Sequence, residues 1–312
     1  MRIRTWALLY QGQEKEGLGE LEWRWKIPAE RPYQRDFNQP IWDGAADLKD
    51  RTILLWSEQG VGDNLNWASC LSRVVSQAGL CIVEVPPKLV SLLARSFPNA
   101  VVRAEDRGAQ PTDIDFHLPF GSLYHRLYPN IDYPAEAYLI PDPGRVAFWK
   151  NRLAELGPGP HIGVSWKSSL ITPRRAPNYP NIAEWAPIFS ARDAVFVNLQ
   201  YGEYENDLAV AKRDFGAPLH TFDDLDVYND LDNVAALSKA LDLNITVDNI
   251  EAVISAGVGT PTWVLTWRQS NFSNFARGPR GPSVTRFERN TGEPWDAAFQ
   301  KIAECLKLRA GF

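Results

Sequence analysis

A short apolar run that breaks into a glycine-containing turn and then into a helical pattern constrains this chain most. Residues 53–56 (ILLW) have the composition of a buried strand, and the turn after them contains Gly60 and Gly62. Apolar residues then recur at helical spacing from Leu65 onward. A strand that turns sharply into a helix presents backbone N–H groups and the positive end of the helix dipole at one place. The run therefore predicts an α/β unit that binds a polar or anionic ligand at the carboxyl end of this strand.

The same alternation of apolar runs and helical patterns continues along most of the chain. Strands are predicted at residues 52–57, 80–85, 100–103, 114–118, 161–166, 194–199, 243–247 and 261–265. Helices are predicted at residues 63–78, 86–97, 144–157, 181–190, 203–214, 232–241, 250–257 and 295–309. Such alternation indicates βαβ units and mainly parallel sheets. We expect two doubly wound domains that face one another. Because ligands of open parallel sheets lie beyond the carboxyl ends of the strands, the cleft between the domains is the expected site.

Stretches rich in proline and glycine mark the expected domain limits. The predicted parts are a helical N-terminal segment with its connector (1–40), a first α/β domain (41–143), a linker helix (144–160), a second α/β domain (161–294) and a C-terminal helix (295–312). Pro and Gly at the density of residues 157–160 cannot continue a helix. Residues 1–27 are expected to be helical, with a break near Gly17 and Gly19.

The composition argues against several classes of protein. The 312 residues carry a net charge of −5 without a block of like charge, which argues against a nucleic-acid-binding protein. No apolar run approaches the ~18 residues of a membrane span. Three cysteines without a CxxC pair fit a reducing cytoplasm, and the four scattered histidines do not suggest a metal site. We therefore expect a cytoplasmic protein that needs no metal.

Asp63 is the candidate catalytic residue of the first domain, because it follows the glycine turn. A carboxylate at the tip of such a loop can take a proton from an acceptor hydroxyl. Asp is also favoured as a cap in the first turn of a helix. The sequence leaves both roles open, and one residue can fill both.

Polar residues follow the first two strands of the second domain. Lys167, Ser168 and Arg175 come after the first of these strands and offer the cations and hydroxyls that a diphosphate needs. Gln200 and Tyr201 end the next strand, where contacts to a base or a ribose and a plain turn are both open interpretations.

A further strand of the second domain ends at Asp248 and Asn249, where a helix begins. The start of this helix is a seat for an anion. Asp248 with Glu251 three residues later also makes an acidic variant of the capping box. A Glu251 carboxylate would repel a diphosphate placed there. The segment therefore combines a helix start that favours anion binding with a carboxylate that disfavours it.

Short segments spread in a fixed order over about residues 20–305 together resemble a known family. They are residues 23–25 (WRW), 39–44 (QPIWDG), 58–63 (EQGVGD), 119–123 (PFGSL), 162–168 (IGVSWKS), 198–202 (NLQYG), 240–243 (ALDL) and 259–263 (GTPTW). The chain resembles the glycosyltransferase-type region of bacterial tetratricopeptide-repeat proteins, which is similar to heptosyltransferases and more distantly to O-GlcNAc transferases.

This resemblance implies a GT-B fold, in which two Rossmann-like domains face one another and the second holds a nucleotide-sugar donor. It implies that Asp63 is the base, and that residues 1–27 are the tail of a helical repeat that binds protein partners. The residues that match the family's functional positions are Gly60, Gly62 and Asp63 in the first domain, Lys167 and Arg175 after the first strand of the second, and Asp248 and Asn249 at the diphosphate-facing helix.

The leading hypothesis is transfer of a sugar from a nucleotide-sugar donor to a hydroxyl of a glycan or protein, without a metal or another cofactor. An alternative is a GT-B-shaped binding or scaffold module that has lost catalysis, which Glu251 and the repeat-like N-terminus favour. A third hypothesis is a nucleotide-sugar epimerase on the same architecture. Such enzymes generally need several carboxylates and a His in the cleft, and the sequence shows no convincing set.

Overall fold

The computed structural model describes residues 2–28, 34–108, 110–131, 137–169, 171–173, 175–191, 193–216, 219–267, 283–290 and 292–309. Within these ranges the chain divides into two compact units, one that reaches Ile140 and one that starts at Pro141. Each unit is built on one parallel sheet. No helix in the described ranges is long and apolar enough to cross a membrane.

The first unit contains a four-stranded sheet in the order β3-β2-β1-β4. Its strands are β1 (Thr52–Trp56), β2 (Leu80–Val85), β3 (Val101–Ala104) and β4 (Phe116–Pro119). Its helices are α1 (Arg2–Tyr10), α2 (Glu14–Leu21), α3 (Val61–Ala68), α4 (Leu71–Gln77), α5 (Pro87–Ser96) and α6 (Leu123–Leu127), with 3-10 helices at Glu22–Lys26 and Phe120–Ser122. Helices in the crossovers from β1 to β2 and from β2 to β3 bring the chain back, so these strands run parallel.

The second unit contains a six-stranded sheet in the order β10-β9-β8-β5-β6-β7. Its strands are β5 (His161–Ser165), β6 (Val195–Asn198), β7 (Leu219–His220), β8 (Leu243–Val247), β9 (Thr262–Trp267) and β10 (Val284–Arg289). Its helices are α7 (Pro143–Glu155), α8 (Ala186–Phe189), α9 (Glu205–Phe215), α10 (Leu231–Ala240), α11 (Ile250–Gly257) and α12 (Asp296–Arg309), with 3-10 helices at Ala176–Asn178 and Ile182–Trp185.

Helices cover both faces of the second sheet. Trp263 and Leu265 of β9 belong to the large apolar core that includes Phe299 of α12. The residue between them, Val264, packs instead with Ala252 of α11. Because neighbouring residues of a strand point to opposite faces, α11 and α12 lie on opposite sides of this sheet. The doubly wound arrangement predicted for this unit is therefore present.

The predicted break near Gly17 and Gly19 is wrong, because both glycines lie inside α2. The chain breaks earlier, between α1 and α2, where Gly12 has a φ of 78°. A Cβ on Gly17 would lie 2.7 Å from the side chain of Leu9, so this glycine allows α1 and α2 to approach closely.

The single helix predicted over residues 63–78 is two helices, α3 and α4. The interruption falls at Ser69, whose hydroxyl donates to the carbonyl of Asn66 at 2.7 Å. The backbone N–H of Ser69 also bonds to that carbonyl, at 3.3 Å. A serine that bonds locally in this way offers the backbone an alternative to the helix. The turn is buried and needs no glycine or proline, which is why the apolar pattern passes through it.

A buried ion pair joins the 3-10 helix Glu22–Lys26 to the loop after β1. The guanidinium of Arg24 donates to Glu58 through Nε at 2.7 Å and through Nη2 at 2.6 Å. Glu58, only 1% exposed, also accepts from the backbone N–H of Gly121 at 2.8 Å. A Cβ at position 121 would collide with the Glu58 carboxylate, so glycine is required there. Arg24 and Glu58 therefore hold the N-terminal segment against the first sheet.

Replacing Arg24 with Met should lower the free energy of unfolding by about 3–5 kcal/mol, because it leaves the Glu58 carboxylate buried without its cation. Chemical denaturation of the two proteins measures this difference. Arg4→Met is the matched control, because Arg4 makes an exposed ion pair with Glu20 at 3.5 Å and such pairs contribute little. Equal stability of the two variants would contradict a stabilising role for the buried pair.

Candidate functional site

The amide of Gln200 organises the polar edge of the second sheet. Its oxygen accepts hydrogen bonds from the backbone N–H groups of Trp166 and Lys167, both at 2.9 Å, and from the Ser165 hydroxyl at 3.2 Å. Its nitrogen donates to the carbonyls of Lys167 at 3.1 Å and Tyr201 at 2.8 Å. Gln200 is fully buried. Its observed contacts therefore connect the ends of β5 and β6 and shape the loop that carries Lys167.

Asn249 caps the helix that begins at the same edge. Its side-chain oxygen accepts from the N–H groups of Glu251 at 3.1 Å and Ala252 at 3.3 Å, and its nitrogen donates to the Ser165 hydroxyl at 2.8 Å. The predicted capping box of Asp248 and Glu251 is wrong. It requires Asp248 as the N-cap, whereas the N-cap of α11 is Asn249 and Glu251 is the second residue of the helix. Two N–H groups expected to face an anion are occupied by Asn249 instead.

Lys167 is already paired within the second unit. Its Nζ lies 2.6 Å from Oδ2 of Asp207 on α9, and the same oxygen accepts from the indole N–H of Trp166 at 2.8 Å. The side chains of Lys167 and Asp207 are each 26% exposed. The lysine is therefore accessible to solvent, but its charge is balanced by a neighbouring carboxylate.

Arg175 and several hydroxyl groups form a connected group beside this loop. Arg175 Nη2 donates to the Tyr179 hydroxyl at 2.7 Å and to the Ser168 hydroxyl at 3.5 Å. The Tyr201 hydroxyl bonds to Ser168, and burial, with a contribution from the charge of Glu251, raises the pKa of Tyr201 to about 12. Tyr201 therefore keeps its proton at neutral pH. The structure thus brings Ser168, Arg175 and Tyr201 together beside the ends of β5 and β6.

Sequence reasoning missed the burial of Glu251. The residue is 1% exposed, and neither carboxyl oxygen has a hydrogen-bond partner. Burial raises the pKa of Glu251 to about 8, so the carboxyl group is mainly neutral at pH 7. The sequence signal was present, since an acidic residue follows the N-cap, but acidic residues in a first turn are usually exposed and charged.

In the first unit, Gly60 is the N-cap of α3 and Gly62 lies in its first turn. The exposed carboxylate of Asp63 accepts a hydrogen bond from the backbone N–H of Gly60 at 3.2 Å. Gln59 has a φ of 59°, an uncommon value for a residue other than glycine. The capping hydrogen bond expected of Asp63 is thus present, and its role as a base stays a prediction.

A cavity of about 850 Å³ lies at the opposite, amino edge of the second sheet. Ile162, Leu243 and Leu306 are among the residues that line it. None of the predicted binding residues reaches this cavity, because they follow the carboxyl ends of the strands. This cavity and the polar edge are therefore separate features of the second unit.

The acidic residues of the second unit that follow β7 act as caps and ion-pair partners. Asp230 accepts from the N–H of Asn233 at the start of α10, and Asp224 pairs with Arg152 at 2.6 Å. Across the residues that the structure describes, no group of three or more His, Cys, Asp or Glu side chains is placed to hold a metal ion. The expectation that the protein works without a metal stays a prediction.

One curated relative is similar to most of this chain, and no family model matches. Protein FlbA of Caulobacter vibrioides is 32% identical over 288 residues, which cover 85% of this chain and 48% of that protein. The chain thus spans about half the length of the curated relative that it matches.

Several solved structures with a similar fold are bacterial glycosyltransferases. The glycosyl transferase family 9 protein of Veillonella parvula has a TM-score of 0.57 and 13% identity, over 85% of this chain and 91% of that one. The ADP-heptose lipopolysaccharide heptosyltransferase II of E. coli has a TM-score of 0.57 and 15% identity, over 84% and 100%. The E. coli glycosyltransferase TibC, described as iron-containing, has a TM-score of 0.51 and 15% identity, over 77% and 63%.

These likenesses confirm the predicted fold class, an α/β chain with two parallel sheets of the GT-B-like type. At such low identities they establish the fold alone. The predicted relations to tetratricopeptide repeats and to O-GlcNAc transferases stay predictions.

Replacing Glu251 with Gln should change how stability depends on pH. Burial raises the pKa of Glu251 from 4.5 to about 8, so the unfolded chain releases this proton first as the pH rises. The free energy of unfolding of the wild type should therefore fall between about pH 4.5 and pH 8, and a glutamine variant should lack this fall. Thermal unfolding across that range measures it.

Glu205→Gln is the control for this measurement, because Glu205 is an exposed glutamate in the first turn of α9. Its unfolding midpoint should follow the pH dependence of the wild type. Parallel curves for Glu251→Gln and the wild type would show that the Glu251 carboxyl group titrates normally.

Proposed function

We propose that this protein is a glycosyltransferase that moves a sugar from a nucleotide-sugar donor to a hydroxyl acceptor. The observation that carries the proposal is the group of Lys167, Ser168, Arg175 and Tyr201 at the carboxyl edge of the second sheet, beside the start of α11. Ligands of open parallel sheets bind at this edge. A fold shared with known glycosyltransferases supports the same interpretation.

The proposed donor is a nucleoside diphosphate sugar, and the first candidates are ADP-linked sugars. The name of the E. coli heptosyltransferase II includes ADP-heptose. TibC was solved in complex with ADP-D-β-D-heptose, and that structure has a TM-score of 0.52 and 14% identity to this chain. A diphosphate needs positive groups, which Arg175, Lys167 and the N-terminal end of α11 offer. Lys167 would then divide its interaction between Asp207 and the ligand.

In the proposed reaction the acceptor hydroxyl attacks the anomeric carbon of the sugar, and the bond from that carbon to the diphosphate oxygen breaks. Asp63 takes the proton of the hydroxyl. Lys167 and Arg175 stabilise the negative charge that develops on the leaving diphosphate. Two side-chain cations supply this stabilisation, so the proposal requires no metal. The acceptor class, a glycan or a protein, is part of the proposal.

A second candidate is a binding module of the same fold without catalysis. The observations that favour it are the pairing of Lys167 with Asp207 and the hydrogen bonds by which Asn249 occupies two N–H groups of α11. Both reduce the positive potential available to a diphosphate. Binding of a nucleotide separates the two candidates.

Isothermal titration calorimetry with ADP, UDP and GDP tests the donor site, and at least one should bind to the wild type. Lys167→Met should weaken that binding by about 10- to 100-fold, which is the effect of losing a hydrogen bond to a charged group. Lys150→Met is the control, because Lys150 is exposed on α7, and it should bind as the wild type does. If none of the three nucleotides binds to the folded protein, the transferase proposal fails and the module remains.

Replacing Asp63 with Asn should lower the turnover of the donor sugar by about 10²- to 10⁴-fold, because the base is lost. The affinity for the nucleotide should not change, since the proposed nucleotide contacts are those of Lys167, Arg175 and the start of α11. Turnover is measured as release of the nucleoside diphosphate from the donor that binds. Asp113→Asn, at another exposed aspartate of the same unit, is the control. Equal turnover in the two variants would remove Asp63 from the mechanism.

A further inference from the structure

A buried carboxyl group without a partner lies in the first turn of α11. Both oxygens of Glu251 lack a hydrogen-bond partner, and the residue is 1% exposed. Buried polar side chains in folded proteins almost always have a partner, and an unpaired one costs free energy. A charged carboxylate in this position would cost far more than a neutral carboxyl group. The geometry therefore favours a Glu251 that carries its proton.

The charged and titratable groups around Glu251 do not offset this burial. β8 and β9, which pack against α11, have no titratable side chain. α10 contributes Asp232 in its first turn and Lys239, whose Nζ donates to the carbonyl of Val258 after the far end of α11 at 2.9 Å. The turn before α11 contributes Asp248, and the loop after β6 contributes Tyr201. An ionised Glu251 would disfavour loss of the proton from the Tyr201 hydroxyl. Of the groups described on these elements, the cation Lys239 lies at the far end of α11.

Among the residues that the structure describes at this edge, the cations Lys167 and Arg175 are both engaged elsewhere. Lys167 pairs with Asp207 at 2.6 Å, and Arg175 donates to Tyr179 at 2.7 Å. Glu251 has no hydrogen bond to either of them. Its protonation state therefore decides how much positive potential the start of α11 presents.

The first turn of a helix behaves as roughly half a positive charge. A full negative charge on Glu251 would outweigh this partial charge and repel an anion placed there. A neutral Glu251 leaves the end of the helix positive. In the sequence, Glu251 was expected to be charged and to repel a diphosphate. Because burial favours the neutral carboxyl group, this repulsion is absent while Glu251 is protonated.

We propose that Glu251 makes donor binding depend on a proton: a nucleoside diphosphate binds at the start of α11 only while Glu251 is protonated, and the bound diphosphate retains that proton. This inference rests on the proposed function, because it assumes that the second unit binds the diphosphate of the donor. Glu251 acts through the electrostatic potential of the helix end, so it is a positioning residue.

The affinity of the nucleotide that binds best among ADP, UDP and GDP, measured from pH 7 to pH 9.5, tests this inference. The wild type should lose affinity as the pH rises past 8, and the loss should approach tenfold per pH unit. Glu251→Gln, which stays neutral, should keep a nearly constant affinity over the same range. Glu205→Gln, the exposed first-turn control, should lose affinity as the wild type does.

Proton uptake by the wild type gives a second readout that needs no variant. Calorimetry at pH 8 in buffers of different ionisation enthalpy should show uptake of about half a proton per bound nucleotide, because the free protein is then about half protonated. At pH 6.5 the uptake at Glu251 should be close to zero.

The outcomes distinguish a failure of this inference from a failure of the proposed function. If nucleotide binds at pH 7 but the wild type and Glu251→Gln have the same pH dependence, or if no proton is taken up at pH 8, the inference about Glu251 is overturned and the proposed function stands. If no nucleotide binds to the wild type at pH 7, the proposed function and this inference fail together.

Discussion

The buried amide of Gln200 is the interaction on which the polar edge of the second unit depends. Where parallel strands end, backbone groups lose their partners in the sheet while still partly enclosed by protein. An amide side chain both donates and accepts, so one residue can satisfy N–H and C=O groups of the neighbouring loop. Gln200 does this for Lys167, and Asn249 adds a hydrogen bond to the carbonyl of Lys167 at 3.3 Å. The hydrogen bonds of these two amides therefore hold the backbone of Lys167 in place, and with it the neighbouring Ser168.

Much of the fold could be predicted because its central strands are continuous apolar runs with polar ends. β8 was expected at residues 243–247 and spans Leu243–Val247. The edge strands of the second sheet were missed for physical reasons. β7 has only two residues, and β10 (VTRFER) alternates apolar and charged residues as a half-exposed strand does. Neither pattern differs enough from that of a loop to be recognised without its neighbours.

The sequence allowed us to place the polar residues of the candidate site at strand ends, but it did not allow us to predict their hydrogen-bond and ion-pair partners. Strand ends can be located from the sequence, and parallel topology brings them to one edge. The partners come from distant segments: Asp207 lies on a helix after the next strand, and Arg24 reaches Glu58 across 34 positions. Whether an acidic residue such as Glu251 is exposed or buried depends on what packs over the helix, which its own sequence neighbourhood does not contain.

The two candidate functions differ mainly in how the positive groups are used. A transferase needs Lys167 to be available when the leaving group forms, and a binding module does not. Because the lysine is one-quarter exposed at 26%, its ion pair with Asp207 is weakened by solvent and salt, so sharing with a ligand is physically reasonable. The ion pair then keeps the lysine ordered at the edge of the sheet in the absence of a ligand.

In the proposed donor site, the Asp207 carboxylate would compete with the ligand for the Lys167 ammonium. One of its oxygens holds both the Trp166 indole and the Lys167 ammonium. An asparagine there keeps an oxygen for the indole while removing the competing negative charge. If the second unit binds a nucleotide-sugar donor as proposed, laboratory evolution for tighter donor binding should find this position early, as a substitution that raises affinity without rebuilding the loop.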